Sequence, residues 1–75
     1  LDYTASQEKL GKTVGDDFRE GKITLPVILA YRAGSEEERT FWHRTLEEHD
    51  QTAGDLDTCQ ALLHKYGTIE TTLDR

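Results

Sequence analysis

Between Gly11 and Pro26 the chain reads GKTVGDDFREGKITLP. Two glycine–lysine pairs, Gly11-Lys12 and Gly21-Lys22, bracket the adjacent carboxylates Asp16 and Asp17. An ammonium group is a compact point charge suited to a phosphate. A carboxylate is a hard oxygen donor, and Mg²⁺ commonly takes only one or two of them beside water and substrate phosphates. An aspartate on the same segment as two lysines can therefore hold a metal that bridges to a diphosphate the lysines also touch. A solvated charged loop accounts for the same residue types, since charge runs usually lie at the surface. Spacing alone leaves both readings open.

Other chemistries fit less well. The GKT at 11–13 invites a phosphate-loop reading, but that motif needs a glycine where Ser6 stands, and a strand before it. His43, His49, His64 and Cys59 lack the close paired spacing of structural zinc sites. His43 and His64 fall among charged and polar neighbours and read as a solvated face. No serine is placed for a Ser–His–Asp arrangement. The single Cys59 has no partner for an intrachain disulfide and reads as a small buried hydrophobe, which suits a reducing, cytoplasmic setting.

The elements that must carry these residues are helical. Residues 1–6 read as the end of a helix. Residues 7–22 hold Gly11, Gly15 and Gly21 and read as a loop with at most a short turn around Asp17–Glu20. Thr24 offers an N-cap, and Pro26 is tolerated in the first turn of an apolar helix, LPVILAY, that ends at Gly34. Ser35 with Glu38 forms a capping-box pattern. Phe41 with Thr45 and Trp42 with Leu46 lie on adjacent helical stripes. After the polar break EEHDQT, the residues Leu56, Cys59, Leu63 and Tyr66 step by three, four and three, an amphipathic helix that Gly67 closes. Thr68 can cap a last helix carrying Ile69 and Leu73. The expected fold is all-α, with about three to four helices and no strand.

The 75 residues carry a formal net charge of −6, which speaks against nucleic acid and against an anionic membrane surface. No apolar run approaches the roughly 20 residues of a spanning helix. A chain this short buries only about 60% of its unfolded surface. With no methionine in the sequence, it reads as one segment of a larger domain truncated at both ends. Alone, its run 25–31 and Trp42 are expected to lack partner helices and to drive self-association or partial order.

Residues 1–31, LDYTASQEKLGKTVGDDFREGKITLPVILAY, closely resemble the second aspartate-rich region of the trans-prenyl diphosphate synthases, the polyprenyl synthetase family, in its long-chain octaprenyl or decaprenyl type. In that family a D-D-x-x-D motif runs into a tyrosine, then a segment G-K-…-G-x-D-…-G-K-x-T-L-P, then a buried helix. The pairs at 11–12, GDD at 15–17 and GKITLP at 21–26 match in order and spacing. Beyond residue 31 the likeness to the family's C-terminal helices is weak. The resemblance implies that residues 1–75 are a C-terminal segment of one polyprenyl synthetase domain, part of a large helical bundle. It implies that Lys12 and Lys22 contact an allylic diphosphate, and that Asp17, with Asp2, serves Mg²⁺ binding. At the position of Asp16 members of the family often carry another residue, and the resemblance assigns it no role. Thr24, Leu25 and Pro26 read as helix initiation and packing.

The reaction implied is the extension of an allylic diphosphate by isopentenyl diphosphate to a long-chain polyprenyl diphosphate. Cations neutralise the departing diphosphate, and preorganised charge at that point stabilises the transition state. The parent is expected to be a cytoplasmic homodimer, and this segment alone inactive. The alternative is a non-catalytic, helical regulatory subunit of a heteromeric prenyl synthase. Residues before Leu1 would separate the two.

Overall fold

Leu10, Val14 and Phe18 recur every four residues, a stripe down one side of a helix. The computed structural model describes residues 3–74. In it that stripe belongs to a single continuous helix, α1 (Tyr3–Arg19). Val14 and Phe18 are each 1% exposed. The segment expected to be a loop is therefore helical up to Arg19. Gly11 and Gly15 do not break it, because a helical glycine costs only about 1 kcal/mol relative to alanine and burial of the stripe outweighs that. Gly15 is a packing residue. A methyl there would stand 3.3 Å from Gln60 Nε2 and 3.4 Å from Leu56 Cδ1, so its absence lets the next long helix approach closely.

The other elements are α2 (Leu25–Ala33), α3 (Glu36–Trp42) running into a π-helical turn (His43–Glu47), α4 (Asp55–Lys65) and α5 (Thr68–Leu73). Five α-helices thus stand where three to four were expected, and the described residues contain no strand. α1 packs on α4 and α5, while α2 packs on α3, α4 and α5. Val27, Ala30, Trp42, Leu46, Cys59, Leu62 and Leu63 complete the core around Val14 and Phe18. Burial pushes the Cys59 thiol up to about 12.

α2 starts after Thr24, whose backbone is extended as at an N-cap, yet its hydroxyl makes no cap hydrogen bond and lies buried without a partner. Of the apolar run, Pro26, Val27 and Ala30 are buried. Leu25 and Ile28 are 40% and 38% exposed, and Ile23 just before them 64%. Ile23 and Ile28 line an open groove of about 380 Å³ with Tyr31, Trp42 and Leu46. Trp42 itself is packed within the chain, contrary to expectation, although its indole N–H is buried without a hydrogen-bond partner. It is 3% exposed, with its ring edge-on to Phe18 at 6.2 Å.

The capping box of α3 is formed. Ser35 Oγ accepts from Glu38 N–H, and Glu38 Oε1 accepts from Ser35 N–H at 2.9 Å. Glu38 also accepts from the Tyr66 hydroxyl and from Lys65 Nζ at 3.0 Å, tying α3 to the end of α4. The bond from Tyr66, then those from Ser35 and Lys65, hold its carboxyl at about 2. At the π turn, Glu48 N–H reaches the His43 carbonyl at 3.1 Å. The fully buried Thr45 donates back to the Phe41 carbonyl at 2.9 Å, a bond that competes with the regular helical ladder. Gly67 ends α4 with φ 60. It, and not Thr68, occupies the N-cap of α5; Thr68 is 2% exposed with an unpartnered hydroxyl.

The connection from the π turn to α4 is pinned by Arg44, which binds both Asp55 carboxylate oxygens at 2.9 and 3.0 Å and the Asp50 carbonyl at 2.7 Å. The guanidinium, followed by the Thr52 N–H, lowers Asp55 from its ordinary 3.8 to about 2. The unfolded chain therefore binds more protons than the folded one at mildly acidic pH, and stability rises with pH there. The contribution is complete above about pH 4 and lost as pH falls through about 2. Urea midpoints measured from pH 6 to pH 2 should fall across this window, and Asp55→Asn should flatten the fall at the expense of stability at pH 6. Phe18→Ala should cost about 3–5 kcal/mol. A chain of this size has roughly 4–11 kcal/mol in all, so its urea midpoint should drop by a large fraction.

Candidate functional site

The helical course of α1 decides where the charges go. With the Leu10–Val14–Phe18 stripe turned to the core, Lys12 and Asp16, four residues apart, share the opposite, exposed face. Asp17 is half-buried and lies about 140° around the axis from Lys12, on a flank it shares with Ser6 and Thr13. The helix thus brings Asp16, not Asp17, alongside Lys12. The i,i+4 spacing carries that signal only once the segment is helical, and the glycines at 11, 15 and 21 point instead to a loop. Asp2 lies outside the described residues.

Lys22 comes back toward α1 through a tight corner. Gly21 takes φ 78, a conformation side-chain-bearing residues rarely adopt. Gly21 N–H bonds the Phe18 carbonyl at 3.0 Å, and Lys22 N–H bonds the Asp17 carbonyl at 2.9 Å. Asp17 and Lys22 therefore share one corner, while Lys12 stands about 7.5 Å upstream along the helix axis. The Lys22 ammonium rests 3.4 Å from Glu20 Oε2, with both side chains 62% exposed. Such an exposed pair is worth about 0–1 kcal/mol, so it leaves Lys22 free to exchange Glu20 for another anion. Lys12 is exposed and forms no ion pair among the described residues.

Two adjacent carboxylates near the C-terminal end of a helix add negative charge to the negative end of the macrodipole. Asp16 and Asp17 are in that position, and Arg19 in the last turn only partly offsets them. This is a place that favours a cation. The described residues contain no group of three histidine, cysteine or carboxylate side chains able to hold a metal by themselves. One or two hard oxygens are nevertheless what Mg²⁺ takes when phosphates and waters fill its remaining positions. The donor set fits that ion in that setting and would be a poor cage for zinc or calcium.

Two further residues touch the corner from the far side of the chain. Gln51 Nε2 donates to the Phe18 carbonyl at 2.7 Å and to the Thr45 carbonyl at 3.0 Å. The His49 ring lies against Gly21. Neither was legible, because both depend on the path of the connection after the π turn. His43 and His64 are exposed, and His43 bonds the Tyr31 hydroxyl at 3.0 Å and pairs with Glu47 at 2.9 Å. No helix among the described residues is long and apolar enough to cross a membrane.

Comparison with known proteins places the chain in a family. The family model for polyprenyl synthetase matches residues 1–63. Octaprenyl diphosphate synthase of Escherichia coli is 39% identical over 75 residues, all of this chain and 23% of that protein. The all-trans-nonaprenyl-diphosphate synthase (geranyl-diphosphate specific) of Rhodobacter capsulatus is 38% identical over 82 residues, 95% of this chain and 24% of that protein. The crystal structure of a decaprenyl diphosphate synthase from Rhodobacter capsulatus superposes with a TM-score of 0.78 at 49% identity, over 87% of this chain and 21% of the other. The chain thus spans under a quarter of the length of these relatives. On the matched residues and the shared helical path, the chain belongs to the polyprenyl synthetase family.

Proposed function

We propose that the full-length protein carrying this chain is a prenyltransferase that elongates an allylic diphosphate with isopentenyl diphosphate to a long-chain polyprenyl diphosphate. In this reading the chain supplies the second metal- and diphosphate-binding region. The observation that carries it is the charge set of α1 and its corner: exposed Lys12 with Asp16 on one face, half-buried Asp17 with Lys22 at the helix end. The names of the relatives support a long product. Those names run from octaprenyl to decaprenyl.

Lys12 and Lys22 bind and orient the diphosphate of the allylic substrate. Their charge is most valuable as the carbon–oxygen bond breaks and negative charge gathers on the departing group, since a fixed cation needs no reorganisation at that moment. Mg²⁺, when bound, supplies further neutralisation of that group. Asp17 would hold the ion, directly or through water, with Asp16 the nearer carboxylate to Lys12 and Asp2 a further donor. The same reading carries a cytoplasmic homodimer, a location that the free, buried thiol of Cys59 suits.

In the full-length protein, Lys12→Ala and Lys22→Ala should each lower kcat/KM for the allylic diphosphate by about 10²–10³-fold. Asp17→Ala should raise the Mg²⁺ concentration needed for half-maximal turnover. Steady-state kinetics with varied substrate and Mg²⁺ measure both, and parental values in Lys12→Ala and Asp17→Ala would overturn the reading.

A further inference from the structure

His49 is the only described non-glycine residue with positive φ, at 55°. Histidine visits this region more readily than most residues, but a strained backbone persists only where its surroundings hold it there. Here the hold comes from both sides. Asp50 N–H bonds the Arg44 carbonyl at 2.9 Å, and Arg44 Nη1 bonds the Asp50 carbonyl at 2.7 Å. Gln51 then clamps the carbonyls of Phe18 and Thr45. The result delivers the imidazole onto Gly21: a methyl built there would lie 2.6 Å from Nδ1, nearer still to Cε1 and 3.6 Å from Nε2. The ring occupies the space beside the glycine that immediately precedes Lys22. Two residues with positive φ, 28 positions apart in sequence, thus meet face to face.

We propose that His49 is a positioning residue: its imidazole, seated on Gly21, fixes the direction in which Lys22 leaves the end of α1 toward the substrate diphosphate. The proposal rests on the reading of Lys22 given above and adds to it the group that orients that lysine. A free glycine corner would let the Lys22 backbone swing and carry its ammonium, which rests 3.4 Å from Glu20 Oε2 when no substrate is bound, out of reach of the diphosphate. The ring blocks one side of that swing, while the hydrogen bonds from Gly21 and Lys22 to the Phe18 and Asp17 carbonyls hold the other. Lys12 lies upstream on the helix and does not depend on the corner.

The test is His49→Gly in the full-length protein, since glycine keeps the left-handed backbone without strain and removes the ring, with His49→Asn, which tolerates that backbone with less added chain freedom, expected to behave alike. It should lower kcat/KM for the allylic diphosphate about tenfold, mainly through KM, less than the about 100-fold that a 1 Å misplacement can cost. In a Lys22→Ala background the further loss should shrink to under about twofold, and in a Lys12→Ala background it should persist in full, because only the first pair acts through one group. Amide hydrogen exchange of the ligand-free protein should speed up at Gly21 and Lys22 and stay unchanged at Val27 and Ala30. Equal losses in both lysine backgrounds, or unchanged exchange at Gly21 and Lys22, would overturn the proposal. Should Lys22→Ala keep the parental kcat/KM while the exchange still quickens in His49→Gly, the diphosphate role of Lys22 is what falls, and the grip of His49 on the corner stands.

Discussion

The burial of Phe18 is the constraint on which the rest of this chain depends. Its ring is 1% exposed, stacked with Phe41 at 6.1 Å and edge-on to Trp42 at 6.2 Å, so the last turn of α1 is locked against α3. Its carbonyl accepts from Gln51 Nε2 and from Gly21 N–H. One residue thus joins the core to the corner that carries Lys22. Aromatic pairs of this kind add about 0.5–1.5 kcal/mol beyond the area they bury, and here they also set the rotation of α1. That rotation in turn decides that Lys12 and Asp16 face outward and Asp17 lies on a flank.

The charged residues follow from the same geometry by exclusion. Once one side of α1 is committed to Leu10, Val14 and Phe18 and another to the close approach of α4 at Gly15, only the outer face and one flank remain for ions. The carboxylates there are left near the negative end of the helix dipole, partly uncompensated. Two acids of the scaffold are held within the chain: Asp55 pairs with Arg44, and Glu38 pairs with Lys65 and accepts from the Tyr66 hydroxyl. What distinguishes Asp16 and Asp17 is their adjacency at the negative end of the α1 dipole, and that is the electrostatic case for a cation there.

Much of the helical architecture was legible from the residues alone. The capping box at Ser35 and Glu38, the stop at Gly34, the spacing of Leu56, Cys59 and Leu63 and the left-handed Gly67 all act through local geometry, which spacing reveals. Over 7–22 the three glycines suggest a loop, whereas their tertiary roles differ: Gly15 admits a neighbouring helix and Gly21 turns the chain. The four-residue stripe through Leu10, Val14 and Phe18 was the stronger signal. The π turn at His43–Glu47 and the contacts of His49 and Gln51 depend on long-range packing, which no local pattern encodes. For the site, the residue types and their order were readable. Which charges share a face was not, because that required α1 to be a helix.

Glu38 has one more consequence. Its carboxylate caps its own helix and holds Tyr66 and Lys65, partners 28 and 27 positions away. The segment from α3 through the end of α4 is thereby closed into a non-covalent ring, fastened at a single acid. Fraying at either end of that segment therefore gives up contacts to the same acid, which couples the start of α3 to the end of α4.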